Sequence, residues 1–392
     1  MVPKGWEKNS LDSLFEFKNG LNTEKEQYGN GYKFVNVMDV FRNDILTESK
    51  IIGRVQVTDK QLEGYQLKYG DVLFNRTSET FDEIAIAAIY LDNAIATFGG
   101  FVIRARPKGN QIDPAYSVFL FQSKSYRSQV VKLGQGAIRA NIGQKDLARV
   151  CILVPPLAEQ KKIAQILSTW DKAISVTEKL LANSQQQKKA LMQQLLTGKK
   201  RLLDENGVRF SGEWRNSTLS MFCNIAKGKA LSASDLEVGD FPVIAGGKSS
   251  PYSHSDYTHE NVVTVSASGA YAGYISYHNY KIWASDCSVV SAKADNLIDY
   301  FYQLLLSLQD KIYSLQSGGA QPHIYPKDLN SIPLWVPCVK EQQKIATVLS
   351  AADAEISTLE KKLACLRDEK KALMQQLLTG KRRVKVDEAV AE

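Results

Sequence analysis

Apolar residues recur at alternating intervals of four and three over two long stretches of the chain. One series runs from Ile163 to Leu195, and the other runs from Ile345 to Leu377. A spacing that averages 3.5 residues predicts α-helices that pack along a seam as a coiled coil. Neither stretch contains Pro or Gly before the Thr-Gly pair that follows its last seam residue, so two helices of about 40 residues are expected.

The seam positions are the predicted contact between the two helices. The apolar ones are Ile163, Leu167, Trp170, Ile174, Leu181, Leu191, Leu195, Ile345, Leu349, Ile356, Leu359, Leu363, Leu373 and Leu377. Polar residues interrupt the series at Thr177, Ser184, Lys188 and Lys370, where they would fix the register at some cost in stability. Because the two series share phase and length, pairing with each other is favoured over packing of each helix on its own domain.

The two stretches are copies of one sequence. Residues 155–201 align without a gap with residues 337–383, and 28 of the 47 positions are identical. The twelve letters KKALMQQLLTGK, at 188–199, return unchanged 182 residues later. Upstream, NIGQKDL (141–147) faces HIYPKDL (323–329) in the same register. The chain is therefore predicted to be a duplication in which two helices alternate with two unlike blocks.

Alternating short runs in the blocks predict strands followed by a helix. Strands are predicted at 32–40, 70–76, 83–91 and 99–106 with a helix at 114–133, and strands at 261–267, 273–278 and 287–292 with a helix at 297–308. The predicted fold class is α/β (α+β) domains in tandem, separated by two long helices in an antiparallel coiled coil, with an internal pseudo-twofold duplication. The predicted segments are domain one at 1–156, a spacer helix at 157–201, domain two at 202–338, a second spacer helix at 339–383, and a tail at 384–392.

The net charge of +7 lies mainly on the repeated helices. Residues 157–201 carry 9 basic and 3 acidic residues, and residues 339–383 carry 10 and 6. Residues 202–338 instead carry 9 basic and 13 acidic residues. This distribution permits a DNA partner without demonstrating one.

Composition indicates a cytoplasmic protein without disulfides. The five cysteines are scattered and form no CxxC pair, which is typical of reduced thiols. No stretch approaches the ~18 apolar residues of a membrane span, and the first thirty residues lack an apolar signal core. We therefore expect no membrane association.

Motifs for catalysis and metal binding are incomplete. The loop GGKSS (246–250) has Pro242 where a phosphate-binding loop needs its first Gly, and DPAY (113–116) lacks one Pro of an amino-methyltransferase signature. His254 and His259 do not have the spacing of zinc ligands. We predict no catalytic residue, no metal site and no cofactor in this chain.

Polar loops of matching position indicate surface recognition instead. LGQGAIRAN (133–141) and QSGGAQPHIY (316–325) precede the two KDL segments, and NRTSET (75–80) and SASGAYAGY (266–274) follow predicted strands. Arg, Asn, Gln and His side chains can read base edges, and Gly allows the backbone to approach a phosphate. The predicted DNA contacts are Arg76, Ser78, Gln135, Arg139, Asn141, Lys248, Ser268, Tyr271, Gln321, His323 and Tyr325. For any one of these residues, an ordinary turn or core role is an equal alternative.

The whole chain resembles the specificity subunits of Type I restriction–modification systems. The likeness rests on NIGQKDLARVCILVPPLAEQKKIAQIL, its copy HIYPKDLNSIPLWVPCVKEQQKIATVL, and the doubled KKALMQQLLTGK. The order of two unlike blocks and two repeated helices also agrees with this family. Cys338 stands where the first copy has the second Pro of a Pro-Pro pair, and the heptads are unaffected.

The resemblance implies a non-catalytic subunit that binds double-stranded DNA. Each block would be a target-recognition domain for one half of a bipartite, asymmetric target, and the coiled coil would set the spacing. Two modification subunits would bring S-adenosylmethionine for adenine-N6 methylation. Two restriction subunits, which use ATP and Mg²⁺, would join optionally.

Two other classes of function stay open on the residues alone. A coiled-coil scaffold with two protein-binding modules would show weak DNA binding that is insensitive to sequence. An enzyme in its own right would need a cofactor or nuclease motif, and the sequence contains none that we recognise.

Overall fold

The computed structural model describes residues 2–248, 252–318 and 321–386, with Ala233 described by its backbone alone. Ser249 and Ser250 of the Gly-rich loop, Gly319 and Ala320 of the second polar loop, and residues 387–392 of the predicted tail lie outside the described residues. The chain forms two compact units, unit 1 (residues 1–177 and 362–392) and unit 2 (residues 178–361). Each long helix therefore contributes to both units, whereas the predicted segments treat the helices separately.

Unit 1 is an α/β domain with a five-stranded sheet in the order β2-β10-β6-β8-β4 and a three-stranded sheet in the order β5-β3-β9. Its strands are β1 Glu7–Ser10, β2 Phe15–Asn19, β3 Tyr28–Val35, β4 Ile45–Leu46, β5 Arg54–Val55, β6 Val72–Asn75, β7 Thr77–Ser78, β8 Ala87–Tyr90, β9 Ala96–Phe98, β10 Val102–Pro107, β11 Ala140–Asn141 and β12 Cys151–Val154. Its helices are α1 Leu11–Leu14, α2 Val37–Arg42, α3 Asp59–Tyr65, α4 Pro114–Leu120, α5 Lys124–Leu133, α6 Gln144–Ala148 and the first half of α7 Leu157–Leu195.

Unit 2 repeats this plan with a four-stranded sheet in the order β14-β20-β17-β18 and a three-stranded sheet in the order β16-β15-β19. Its strands are β13 Arg215–Thr218, β14 Cys223–Lys227, β15 Phe241–Ile244, β16 Ser253–His254, β17 Val262–Ser266, β18 Ile275–His278, β19 Trp283–Ala284, β20 Cys287–Ala292 and β21 Pro333–Val336. Its helices are α8 Leu219–Phe222, α9 Ile298–Ser307, α10 Gln309–Tyr313, α11 Pro326–Asn330 and most of α12 Val339–Leu377. The predicted fold class is confirmed.

Two predicted elements of the first block were wrong in extent. The strand predicted at 32–40 ends at Val35, because the Asn36 amide donates to Asp39 Oδ2 (2.8 Å) and closes a capping box that begins α2. The helix predicted at 114–133 is two helices. The first one ends at Leu120, and the second begins after Ser123, whose hydroxyl accepts a hydrogen bond from the Tyr126 amide (3.3 Å) and caps α5.

Within each unit the α7 and α12 segments run antiparallel. In unit 1, Lys370 forms an ion pair with Asp171, and in unit 2 Lys188 forms one with Asp353. Ser184 also donates to Glu355 (3.0 Å). All predicted seam positions, apolar and polar, are buried or partly buried. The polar seam residues therefore have specific partners on the facing helix, except Thr177, whose hydroxyl donates to the Ala173 carbonyl of its own helix (2.8 Å).

An Arg–Glu–Trp cluster joins the helix ends in each unit. In unit 2 the Arg201 guanidinium bonds both carboxylate oxygens of Glu341, and Trp214 Nε1 donates to the same carboxylate at 3.3 Å. In unit 1 Arg383 binds Glu159 through two bonds of 2.8 Å, and Trp6 Nε1 donates to it at 3.0 Å. The glutamates are almost completely buried. These contacts explain why the Glu and the Arg recur at a 182-residue offset.

Candidate nucleic-acid interface

In unit 1 the two predicted recognition loops come together. Strand β7 pairs with β11, and the amide of Ile142 donates to the Arg76 carbonyl at 3.0 Å. Residues 135–141, named here the unit 1 loop, are closed by reciprocal backbone bonds of 2.8 and 2.7 Å between Gln135 and Asn141. Residues 64 positions apart in the sequence, such as Thr77 and Asn141, are thus directly opposite each other.

The unit 1 loop presents hydrogen-bond donors to solvent. Its turn requires Gly136, whose φ is +121° and whose hypothetical Cβ would lie 2.1 Å from the Arg139 carbonyl oxygen. The side chains of Arg76, Gln135, Arg139 and Asn141 are exposed. The side-chain amide Nδ2 of Asn141 donates to the Arg139 carbonyl (3.0 Å), which limits the movement of the loop.

Ser78 is placed differently from the other unit 1 candidates. It is buried, its hydroxyl donates to Glu83 Oε2 (3.2 Å), and it accepts from the Thr80 amide (3.3 Å). Its hydroxyl therefore supports the turn after β7, and its contact with DNA stays a prediction.

Unit 2 contains the same backbone arrangement. Ser317 and His323 exchange backbone bonds of 2.9 and 2.8 Å, and the amide of Ile324 donates to the Ala267 carbonyl at 2.9 Å. Gly318 has a φ of +94° and lies 182 residues after Gly136. The unit 2 loop (residues 317–323, described apart from 319 and 320) therefore corresponds to the unit 1 loop, while its side chains differ.

Three of the six unit 2 candidates, Tyr271, His323 and Tyr325, carry aromatic rings, and one, Lys248, is a lysine. Lys248 Nζ lies 5.4 Å from the ring centroid of Tyr271, which is the range of a cation–π contact. The rings of His323 and Tyr325 stack with a 12° interplanar angle and 6.0 Å between centroids. Gln321 is exposed, and the Ser268 hydroxyl donates to Asp286 Oδ2. All six candidates therefore lie in the unit 2 loop, beside it, or beside the end of β17.

Sequence reasoning missed several residues at these sites. Lys327 lies 5.6 Å from the Tyr325 ring centroid, and Ile138, at the tip of the unit 1 loop, is 92% exposed. Asp286 was missed because it lies far from Ser268 in sequence. A comparison of the two blocks would have found it. The residue just before the last sheet strand is Phe101 in GGFVIRAR and Asp286 in ASDCSVVSA.

The histidines of unit 2 that lie away from the loop are structural. His278 is buried, and its imidazole shares a hydrogen bond of 2.9 Å with the Thr264 hydroxyl. Burial lowers the pKa of His278 from 6.5 to about 4, and it also lowers the pKa of His259. Within the described ranges, no group of three His, Cys, Asp or Glu side chains is placed to hold a metal ion.

The buried imidazole makes unit 2 sensitive to acid. Because the folded pKa lies below the unfolded one, the unfolded chain binds the proton first as the pH falls from 6.5 toward 4, and stability is lost over that window. We expect His278→Gln to show a flatter loss of urea midpoint between pH 7 and pH 5 than the wild type. His323→Gln is the matched control, and an unchanged slope in His278→Gln would contradict the assignment.

Each of the two α/β domains carries a polar loop that is held by the same backbone contacts, and paired helices join the domains. This arrangement defines a double recognition module. The family model for the Type I restriction modification DNA specificity domain matches residues 3–183 and 211–366. The chain belongs to this family of specificity subunits, which are non-catalytic.

Individual relatives cover nearly the whole chain. A protein provisionally named the type I restriction enzyme MjaX specificity subunit, from Methanocaldococcus jannaschii, is 27% identical over 98% of this chain and 95% of its own. The StySPI specificity subunit from Salmonella potsdam is 23% identical over 92% and 85%. The crystal structure of a Type I S subunit from M. genitalium has the same fold, with a TM-score of 0.66 at 19% identity over 96% of both chains. None of the helices in the described ranges has the length and hydropathy that spanning a bilayer requires.

Proposed function

We propose that each unit reads one half of a bipartite, asymmetric target in double-stranded DNA. The observation that carries this proposal is the pair of loops. In both, two backbone hydrogen bonds close the loop, a glycine has positive φ, and the carbonyl of a strand-end residue accepts the amide that follows the loop, but the side chains differ. A shared frame gives both units one mode of approach to DNA, and unlike side chains give each unit its own base sequence. The antiparallel helices would set the spacing between the half-sites.

The same assembly would hold two modification subunits, one on each copy of the repeat. Two grooves support this number, each beside the turn between two helices: α4 and α5 in unit 1, and α9 and α10 in unit 2. Five wall residues are identical in type and correspond at the 182-residue offset: Lys371, Met374, Gln375, Leu378 and Thr379 in unit 1, and Lys189, Met192, Gln193, Leu196 and Thr197 in unit 2. Their volumes are about 690 and 510 Å³. One partner segment would fit both grooves.

The chemistry would come from these partners. Modification subunits would bind S-adenosylmethionine and methylate adenine at N6, and two optional restriction subunits would use ATP and Mg²⁺. The complex would work in the cytoplasm of a bacterium or archaeon, where its DNA lies.

Exchange of one domain tests the proposal. Replacing residues 1–156 by those of a relative with a different target should change one half-site of the methylated motif and leave the other unaltered. The measurement is methylome sequencing of cells that contain the chimera and the modification partner. The reciprocal exchange of residues 202–338 is the control and should change the other half. A change in both halves, or methylation without sequence preference, would contradict modular reading.

A further inference from the structure

Phe101 and Asp286 occupy the same place in the two units. Phe101 immediately precedes β10, and Asp286 immediately precedes β20. The Phe101 carbonyl accepts the amide of Arg76 at 2.9 Å, and the Asp286 carbonyl accepts the amide of Ala267 at 3.2 Å. Arg76 and Ala267 are also the residues whose carbonyls dock the two loops. The backbone of each residue therefore lies beside the strand end that docks the loop of its own unit.

Close backbone packing fixes both positions. The amide of Gly20 donates to the carbonyl of the residue after Phe101 (2.9 Å), and the amide of Gly228 donates to the carbonyl of the residue after Asp286 (2.8 Å). A Cβ at Gly20 would lie 1.9 Å from the Gly99 carbonyl oxygen, and a Cβ at Gly228 would lie 2.3 Å from the Ser285 oxygen. The strand start cannot shift without losing these contacts.

The two side chains differ in chemistry. Phe101 is 64% exposed, although its backbone carbonyl is bonded to the amide of Arg76, the residue that docks the unit 1 loop. The Asp286 carboxylate accepts a hydrogen bond from Ser268 through Oδ2, and no ion pair to it is found in residues 2–248, 252–318 or 321–386. A carboxylate without a cation repels phosphates, so its place beside a DNA-binding loop favours contact with a hydrogen-bond donor on a base.

We propose that this shared position reads one base pair in each half-site. Asp286 accepts a hydrogen bond from the exocyclic amine of a cytosine or adenine in the half read by unit 2, with its orientation set by Ser268. Phe101 contacts the 5-methyl group of a thymine in the half read by unit 1. Both contacts belong to the major-groove pattern of base recognition. The inference rests on the proposed function and adds the chemical group that each unit recognises.

The test uses the complex of the full chain with its modification subunits, bound to duplexes of the motif found by methylome sequencing. In the unit 2 half, each cytosine is replaced in turn by 2-pyrimidinone and each adenine by purine, which removes one amine. At one position, wild-type binding should weaken about tenfold, whereas Asp286→Ala, which has no acceptor for the amine, should lose less than twofold. The analogue that produces the loss distinguishes cytosine from adenine.

In the unit 1 half, each thymine is replaced by deoxyuridine. Wild-type binding should weaken about threefold at one position, and Phe101→Ala should be indifferent to the missing methyl group. Asp295→Asn, on the exposed turn after β20, is the control and should keep the wild-type response to every analogue. Thermal unfolding of each variant establishes that it is folded.

Two outcomes would overturn the inference. Asp286→Ala that weakens binding to every duplex by the same factor would show that Asp286 only positions Ser268. Wild-type binding that ignores every amine and methyl group would exclude both contacts. If the modular exchange of domains succeeds while these results occur, the proposed function stands and this inference alone fails.

Discussion

Replacing Arg201 by alanine is expected to destabilise unit 2 by about 3 kcal/mol, because it leaves the Glu341 carboxylate buried without its cation. Trp214 would keep a single bond of 3.3 Å to that carboxylate, which is not enough to replace a bidentate guanidinium. The denaturant midpoint of the unit 2 transition measures the loss.

The adjacent Lys200→Ala is the matched control, since Lys200 is exposed and lies at the same helix end. Arg383→Ala should destabilise unit 1 by less than Arg201→Ala destabilises unit 2. The Arg383 side chain is 44% exposed, whereas that of Arg201 is 21% exposed. Water therefore screens the ion pair of Arg383 with Glu159 more than it screens that of Arg201 with Glu341. Equal midpoints for Arg201→Ala and Lys200→Ala would show that the Arg–Glu–Trp cluster does not hold the helix ends together.

Filling one groove is expected to remove one partner from the assembly. Gln193 and Gln375 are exposed and lie in corresponding places in the two grooves. A tryptophan at either position should block one groove, so the complex should contain one modification subunit per chain in place of two. The double variant should bind neither. Native mass spectrometry of the purified complex measures the stoichiometry.

Gln187 is exposed on α7 and does not line the unit 2 groove, so Gln187→Trp is the control for this series. It should retain two modification subunits. If the double variant also retains two, the grooves are not the docking surface, although the recognition of DNA by the two units is unaffected by that result.

Periodicity predicted the helical part of the molecule because its cause is local. A residue such as Leu167 or Leu349 faces the partner helix wherever the heptad continues, and burial follows from spacing alone. Both repeats also contain the same Glu-Gln pair, at 159–160 and 341–342. Gln160 accepts the amide of Asp113 (2.8 Å), and Gln342 accepts that of Leu297 (3.1 Å), so each copy holds the start of a domain helix.

The interface was only half predictable, because its geometry depends on pairing between distant residues. Polar composition selected Arg139 and His323 as candidates, and their contact with DNA stays a prediction. The bonds that place each loop beside a strand end come from segments far apart in sequence. Short-range reasoning also failed at Ser123, where one capping hydroxyl divides a segment that is apolar enough to form a single helix. Asp286 carried no local signal, and only the correspondence between the two units identifies it.

The division of the chain into units also determines the order in which the units are completed during synthesis. Unit 2 is continuous in sequence, whereas unit 1 needs residues 362–386 to pair with α7 and to supply Arg383 for Glu159. At ribosomal rates of about 5–20 residues per second, the 184 residues of unit 2 (178–361) separate the two parts of unit 1 by roughly 10–40 s. During that interval the first 177 residues have an open helix seam. The nascent chain therefore completes unit 2 before unit 1.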